Sequence, residues 1–314
     1  MKIKTIKYEV EIGVDVSKKT IDACSVEGKT FSYNNTKKGI AAMFKKHDAK
    51  DRSIRVTCES TGTYSSLLIK ECLLKDVPIS QVNPLLIKNY IKSFGCLAKT
   101  DPIDANFIRK YALERTPKTI ETNWLEQDVF KQYQRRKTAL IKERAMLKTS
   151  RDKYDEPFII KDITREISRL GKRIAIYEEN INKIIAKDPN LTAKKEILER
   201  TVGVGPGTST AIIVHMPELG ELCRGKVTGL AGLAPYAQDS GVKKGKRFIK
   251  GGRTELRTAL YMAAISSIRH NKHLKAFYQQ LKARGKASRV AIIAVCRKLL
   301  IHLNSELKNN FVRI

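Results

Sequence analysis

The sequence lacks several features that would assign it to common protein classes. No apolar run approaches the roughly 18 residues of a membrane-spanning helix, and the first residues, MKIKTIKYEVEIGV, do not resemble a secretory signal. The cysteines form no CxxC pair, so neither a zinc ribbon nor a disulfide framework is indicated. We therefore expect a cytoplasmic protein in which the cysteines are small buried residues: Cys24, Cys58, Cys72, Cys96, Cys223 and Cys296.

Acidic residues are scarce relative to basic ones. The 314 residues include 61 Lys and Arg against 32 Asp and Glu, which gives a formal net charge of +29. Such a charge attracts polyanions, so the expected partner is nucleic acid rather than a membrane.

Against this basic background, four carboxylates lie in settings that suggest a metal site. Asp15 ends the apolar run IGVDVS, and Glu59 ends IRVTCES. Neighbouring strand ends would bring these two together, while the i, i+3 spacing of Asp101 and Asp104 in LAKTDPIDA places both on one helical face. Oxygen ligands favour Mg²⁺ or Mn²⁺, and a pair of such ions commonly serves phosphodiester chemistry.

Each of these carboxylates also has a purely structural interpretation. Asp101 precedes Pro102, so it could cap a helix that has Asp104 in its first turn. Asp15 could belong to a turn, and Glu59 could cap the helix that follows it. The joint pattern of four acids favours the metal site.

The texture of the sequence predicts an α/β region followed by all-α regions. Residues 1–115 show three β-type runs and then alternating helices and strands, the element order of a ribonuclease H-like domain. Residues 116–190 are helical and charged, and the DEP segment at 155–157 would divide them into a hairpin. Residues 191–314 combine helices with glycine-rich turns. A heptad seam in the second region is formed by Ile163, Ile167, Leu170, Ile174, Tyr177, Ile181 and Ile184.

The glycine-rich segment GVGPGTST has two interpretations. It lacks the Gly-Lys-Ser/Thr of a Walker loop, so nucleotide binding is excluded. Gly203, Gly205 and Gly207 could form the turn of a helix-hairpin-helix whose backbone amides bind a DNA phosphate, or simply connect two helices. Further phosphate contacts are predicted for the basic side chains Lys250, Arg253 and Arg257.

These motifs are similar to those of a known family. Asp15 in GVDVSKKTIDA, Glu59 in CESTGTY, and Asp101 with Asp104 in KTDPIDA resemble the four-acid signature of the DEDD insertion-sequence transposases of the IS110 type. That family is related to the Piv and MooV DNA invertases and includes the bridge-RNA-guided recombinases. The segments VGVGPGTSTAIIVHMPEL and GLAGLAPYAQDSGVKKGKRFIKGGRTELRTALYMAA resemble its carboxy-terminal transposase domain.

The resemblance implies a RuvC-like nuclease fold, a coiled coil that mediates contacts in a homodimer or homotetramer, and a serine that forms a covalent bond with DNA. Ser240 in GLAPYAQDSG inherits that role. Because a serine hydroxyl needs activation and no histidine lies close in sequence, we expect the metal bound by the carboxylates to supply it. Basic residues that could surround the phosphate are Lys243, Lys244, Lys246 and Arg247.

The implied partners are donor and target DNA, with a structured non-coding bridge RNA that selects the target by base pairing. A prokaryotic, nucleoid-associated location follows from the same resemblance. Two other functions stay open at this stage. One is a metal-dependent junction nuclease that makes no serine adduct, and the other is a non-catalytic nucleic-acid-binding protein.

Overall fold

The computed structural model of the protein describes residues 10–25, 28–47, 54–95, 101–237, 239, 245 and 247–311. The chain divides into two compact units, Met1–Asp128 and Val129–Ile314. No described helix is both long enough and apolar enough to cross a membrane.

The described part of the first unit is a five-stranded sheet with helices. Its strands are β1 (Val10–Val16), β2 (Thr20–Cys24), β3 (Thr30–Asn34), β4 (Ile54–Glu59) and β5 (Ile79–Val82). Its helices are α1 (Lys37–His47), α2 (Ser66–Leu74), α3 (Pro84–Ser93) and α4 (Asp101–Arg115). The strand order is β3-β2-β1-β4-β5, in which β1–β3 form an antiparallel meander and β4 and β5 run parallel to β1. The predicted order of strands and helices is confirmed, except that α3 was not predicted.

The sequence contains a signal for α3 in the dipeptide before it. Asn83 caps the helix by accepting a hydrogen bond from the Leu85 N–H at 2.9 Å, and Pro84 follows at the first helical position. An asparagine cap followed by proline is a frequent helix start.

The two faces of the sheet differ in chemistry. On β1 the alternating residues Ile12, Val14 and Val16 are buried in one hydrophobic core together with residues of α1 and α2. The intervening residues of β1 are Glu11, Gly13 and Asp15, which side chain alternation places on the opposite face. At β1 the sheet therefore has an apolar face and a second face that carries polar or small residues.

The described part of the second unit is mainly helical. Its helices are α5 (Trp124–Arg151, which begins before the unit boundary), α6 (Pro157–Ala186), α7 (Pro189–Glu199), α8 (Pro206–His215), α9 (Arg224–Leu230), α10 (Thr254–His270), α11 (Lys272–Ala283) and α12 (Ser288–Phe311). A short hairpin of β6 (Pro235–Tyr236) and β7 (Phe248–Ile249) lies between α9 and α10. The predicted mixture of an α/β part and a helical part is thus confirmed.

Helices α5 and α6 pack against each other in opposite directions. The Tyr133 and Tyr177 rings lie 5.9 Å apart, while Leu140 shares a buried cluster with Leu170 and Ile174. The helix interruption predicted at 155–157 is found between the two helices. Helix α5 ends at Arg151 and helix α6 begins at Pro157.

The cysteines only partly meet the expectation of burial. Cys24, Cys58, Cys72 and Cys296 are buried. Cys223 is exposed because it directly precedes α9 at the surface, so for this residue the prediction was wrong. Cys96 lies outside the described residues.

Candidate active site

Asp15 and Glu59 lie side by side at the carboxyl ends of two parallel strands. The register pairs Glu11 with Arg55, Gly13 with Thr57 and, at its last position, Val14 with Cys58. Asp15 and Glu59 each follow directly, so they occupy neighbouring positions at the same edge of the sheet. Paired residues of parallel strands face the same side, and both carboxylates therefore lie on the face opposite the apolar core.

Helix α4 covers that face because β1 has no side chain where the two elements meet. A Cβ atom on Gly13 would lie 2.3 Å from the Ala105 carbonyl oxygen and 2.4 Å from the Arg109 amide nitrogen. Only glycine permits this backbone approach. The strand and the helix are therefore in direct contact at Gly13, two residues before Asp15.

A buried polar group fixes the direction of α4 along the strand. Arg55 donates to Glu11 Oε2 at 2.5 Å and to the Ala112 carbonyl oxygen at 2.9 Å, and Thr57 donates to Glu11 Oε1 at 2.7 Å. Residue 112 of the helix thus lies near residue 11 of the strand, whereas residues 105 and 109 lie near residue 13. The helix runs antiparallel to β1, which directs its amino-terminal turn toward the edge that carries Asp15.

Asp104 lies in that first turn and is 8% exposed. Asp101 is the first residue of α4, and its side chain lies outside the described residues. The two positions are one helical turn apart, on one face. The structure therefore brings Asp15, Glu59 and the first turn of α4 to a single edge of the sheet.

The structural interpretations of Glu59 and Asp15 are not met, whereas α4 does begin at Asp101, as the capping interpretation of that residue predicts. The residue that caps α2 is Ser65, six positions after Glu59, so Glu59 is not a helix cap. Asp15 lies within β1 rather than in a turn, paired with Asp22.

Asp22 is a further carboxylate near this site, and it was not predicted from the sequence. It lies opposite Asp15 in the antiparallel pair β1–β2 and is 8% exposed. Opposed residues share a face, while Ile21 and Ala23 point into the apolar core. The sequence pattern that indicates its position is the alternation in TIDAC, where one acid stands between two apolar residues.

The electrostatics of the edge confirm that negative charge gathers there. Burial, together with the charges of Glu59 and Asp15, raises the pKa of the Cys58 thiol to about 12. Among the described side chains, no three His, Cys, Asp or Glu are grouped closely enough to hold a metal ion as they stand. Carboxylates that face one another repel, by roughly 4 kcal/mol at 4 Å for an effective dielectric of 20, so a cation would draw them together. The donor set consists of carboxylate oxygens, which fits Mg²⁺ or Mn²⁺.

The predicted nucleophile Ser240 lies outside the described residues, as do Lys243, Lys244 and Lys246. The chain enters this segment from β6 and leaves it into β7, which pair antiparallel. Arg247 donates to Asp239 Oδ1 at 2.7 Å, and the Gly245 N–H donates to the same oxygen at 2.9 Å. These bonds lower the pKa of the Asp239 carboxyl, so it stays ionised and offsets the charge of Arg247.

The predicted phosphate-binding residues near the start of α10 differ in how many contacts they make with the rest of the protein. Lys250 is exposed. Arg253 donates to the His215 carbonyl oxygen at 2.7 Å and pairs with Glu218 Oε1 at 2.5 Å. Arg257 donates to the Gly251 carbonyl oxygen at 2.7 Å. Both arginines therefore hold the local backbone in place, and their role toward DNA stays a prediction.

The glycine-rich segment connects α7 to α8, as the helix-hairpin-helix interpretation requires. Gly203 has φ +97°, and a Cβ there would lie 2.1 Å from Ser267 Oγ, so this glycine lets the turn pack on α10. Gly205 precedes α8 and Gly207 lies in its first turn, and both face open space. Phosphate binding at these amides stays a prediction.

Known proteins resemble both halves of the chain. Residues 12–153 match the transposase family DEDD_Tnp_IS110, and residues 195–279 match the transposase family IS116/IS110/IS902. The pilin gene-inverting protein of Moraxella bovis is 28% identical over 303 residues, which cover 92% of both chains, and that of Moraxella lacunata gives the same values. An uncharacterized 43.6 kDa protein of the insertion element IS110 of Streptomyces coelicolor is 23% identical over 160 residues, 48% of this chain and 37% of that protein.

Proposed function

This chain belongs to the IS110 family of transposases, which are DNA-recombining enzymes, and from that premise we propose that it cuts and rejoins DNA through a covalent phosphoserine intermediate. The observation that carries the proposal is the convergence of Asp15, Glu59 and Asp104 at one edge of the sheet. The strand order supports a ribonuclease H or RuvC-like catalytic domain, of which these acids and Asp101 are the DEDD set.

The four acids would hold Mg²⁺ or Mn²⁺, and an ion bound there would stabilise the charge of the phosphate during displacement. The protein's part is to hold the acids in position. Asp15 and Glu59 are fixed by strand register and Asp104 by the contact of α4 with Gly13. Because α4 covers this face, the carboxylates are shielded from water on one side.

Ser240 supplies the nucleophile. Its hydroxyl oxygen attacks phosphorus, a serine phosphodiester bond forms, and the bond to one deoxyribose oxygen breaks. The serine proton is lost and the departing deoxyribose oxygen is protonated. Rejoining is the reverse attack by a deoxyribose hydroxyl from another strand, which conserves the phosphodiester bond and requires no nucleotide hydrolysis.

The wider assembly follows the family. Residues 1–115 form the catalytic domain, 116–190 a helical hairpin with coiled-coil contacts in a homodimer or homotetramer, and 191–314 the domain that carries Ser240. A structured bridge RNA selects donor and target DNA. The protein acts at the nucleoid, in the cytoplasm. Further phosphate contacts come from Lys243, Lys244, Lys246, Arg247, Lys250, Arg253, Arg257 and the turn Gly203, Gly205 and Gly207.

The experiment incubates the purified protein, its co-purifying RNA and Mg²⁺ with labelled DNA that spans the element junction. Wild type, Ser240→Ala and Asp104→Asn are compared with the surface controls Ser305→Ala and Asp162→Asn, both at exposed helical positions. We expect a protein–DNA adduct that maps to Ser240 in wild type and in both controls. The adduct should be absent from Ser240→Ala and Asp104→Asn. Cleavage that persists in Ser240→Ala without any adduct would instead indicate a hydrolytic metal nuclease.

A further inference from the structure

A large cavity in the second unit adjoins the short hairpin that brackets the Ser240 segment. Its volume is about 930 Å³, within the roughly 300–1,000 Å³ typical of small-molecule sites. Phe248 and Ile249 of β7 and Pro235 of β6 line it, together with residues of α9, α10, α11 and α12. The chain thus enters and leaves residues 237–247 at the wall of this cavity.

The lining combines an apolar floor with positive charge. Among the fifteen described residues that line it, five are arginine or lysine and none is acidic. Arg247 is paired with Asp239, but in the described part of the chain no acidic side chain pairs with the other four, Arg224, Arg289, Arg297 and Lys298. The cavity therefore carries an excess of positive charge that an anionic ligand would neutralise.

One of these cations has a polar atom without a partner. The Nε atom of Arg297 is buried and makes no hydrogen bond with the described residues. A buried donor without a partner is costly, and an incoming acceptor would satisfy it. Nearby, Lys298 places its ammonium 4.4 Å from the centre of the Phe277 ring, so cations and aromatic faces are interleaved.

The aromatic and apolar side chains at this cavity include exposed ones. Phe248 is 53% exposed and Val290 56% exposed, so two large apolar side chains at the same cavity are accessible to a ligand. Planar faces flanked by cations are what a nucleotide requires, since its base stacks on rings while its phosphate meets arginine and lysine.

We propose that this cavity binds an unpaired nucleotide of the DNA strand that the protein cuts. The base enters between Phe248 and the residues of α12, and the adjoining phosphates contact Arg289, Arg297 and Lys298. Withdrawing one base from the duplex would hold the strand in a fixed register beside the Ser240 segment. The choice of the cut strand rests on the proposed function, whereas the chemistry of the cavity does not.

The first test is photocrosslinking with the full-length protein and its RNA. 5-Iododeoxyuridine replaces thymine at successive positions around the element junction, and crosslinked peptides are mapped after irradiation. We expect one position to crosslink to a peptide that contains Phe248, Tyr261 or Phe277. Crosslinks confined to other parts of the chain would overturn the proposal, and crosslinking here only by iodouridine in the RNA would overturn the assignment to DNA.

The second test measures affinity for junction DNA that contains one unpaired nucleotide. Losing a stacking ring should weaken binding by about fivefold or more in Phe248→Ala. The matched control is Phe158→Ala, since Phe158 is 75% exposed on α6. Val290→Glu should weaken binding and Val290→Lys should not. The control for the added negative charge is Ile176→Glu, at a 57% exposed position of α6, and it should not weaken binding. Wild-type affinity in Phe248→Ala and Val290→Glu would contradict the proposal.

Adduct formation separates the two hypotheses. Crosslinking in the cavity without a Ser240 adduct would remove the serine mechanism and leave nucleotide binding standing. A Ser240 adduct with no crosslink in the cavity, and with normal binding by Phe248→Ala, would leave the mechanism standing and remove the nucleotide site.

Discussion

In the first unit the register of a five-stranded sheet fixes the candidate carboxylates Asp15 and Glu59 side by side, whereas in the second unit the Ser240 segment lies between two strands of two residues each. The acids have a covering helix in direct backbone contact with their strand. The described residues that flank the serine segment supply a short hairpin, the ion pair of Arg247 with Asp239 and one wall of a cavity. A metal site requires several ligands in fixed positions, but a nucleophile can be positioned by the substrate that it meets.

The comparison predicts that the two regions respond differently to substitution. We call the site of Asp15, Glu59, Asp101 and Asp104 the acidic edge. Substitutions there should change the reaction rate and the stability of the protein independently, because repulsion among the acids opposes folding while function requires them. Changes near the hairpin should alter DNA binding with little effect on folding.

The largest effect should follow neutralisation of one acid. Glu59→Gln removes a proposed metal ligand, and losing several kcal/mol of transition-state stabilisation corresponds to about 10³-fold in rate. Removing a repelling charge should also leave the melting temperature, measured without divalent ions, equal to or above that of wild type. Rates of strand cleavage together with calorimetry check this, and a stable variant with wild-type cleavage would remove Glu59 from the site.

The next effect concerns the buried pair at the other end of α4. Burial raises the pKa of the Glu11 carboxyl, and the bonds from Thr57 and Arg55 oppose that rise. Arg55→Met leaves Glu11 buried without its ionic partner and should cost about 3–5 kcal/mol of unfolding free energy, measured by denaturant titration. Adding Glu11→Gln should recover part of that loss. If the single variant is as stable as wild type, the pair does not position α4.

Glycine substitutions should have a smaller effect on the free energy of unfolding. The expected effect is destabilising in the first unit and stabilising in the second. Gly13→Ala forces α4 away from β1, and overpacking of this kind costs about 1–3 kcal/mol. Gly171→Ala on α6 meets only Arg144 Nη1 at 3.8 Å and should stabilise by about 0.5–1 kcal/mol. Denaturant titration of both variants measures the difference. A stabilising Gly13→Ala would contradict the close contact that directs Asp104 to the edge.

The smallest effect should be a dependence of stability on pH through His215. Burial lowers its pKa, and the charge of Glu255, which raises the pKa, is opposed by the charges of Lys131, Arg253 and Arg135. The unfolded chain then binds a proton at higher pH than the folded chain, so this contribution is lost as pH falls below about 6.5. His215→Gln should flatten the fall in melting temperature between pH 7.5 and 5.5, and equal slopes in both proteins would contradict the prediction.

Much of the first unit was predictable from the sequence because strand alternation carries information about position. Asp15 and Glu59 end apolar runs, and the parallel register made them neighbours. Asp22 was missed because it lies inside a strand, where the alternation in TIDAC indicates its face but only the strand pairing shows that it lies opposite Asp15. The contact at Gly13 could not be predicted, since it depends on which helix covers the sheet.

The second unit was less predictable for a physical reason. The role of Ser240 came from resemblance to a family, because a serine between an aspartate and a glycine is also ordinary turn chemistry. The cavity is assembled from helices far apart in sequence, so no local pattern marks it. The internal engagement of Arg253 and Arg257 likewise depends on carbonyl groups that only the folded backbone presents.

The most direct test of the central claim is the rate at which the Ser240 adduct forms in a single turnover as the Mg²⁺ concentration is raised. We expect saturating dependence on Mg²⁺ in wild type and in the surface control Asp162→Asn, and loss of the adduct at all concentrations in Asp104→Asn. Adduct formation by Asp104→Asn at the wild-type rate, or by wild type in excess chelator, would show that the acidic edge and the serine do not act in one reaction.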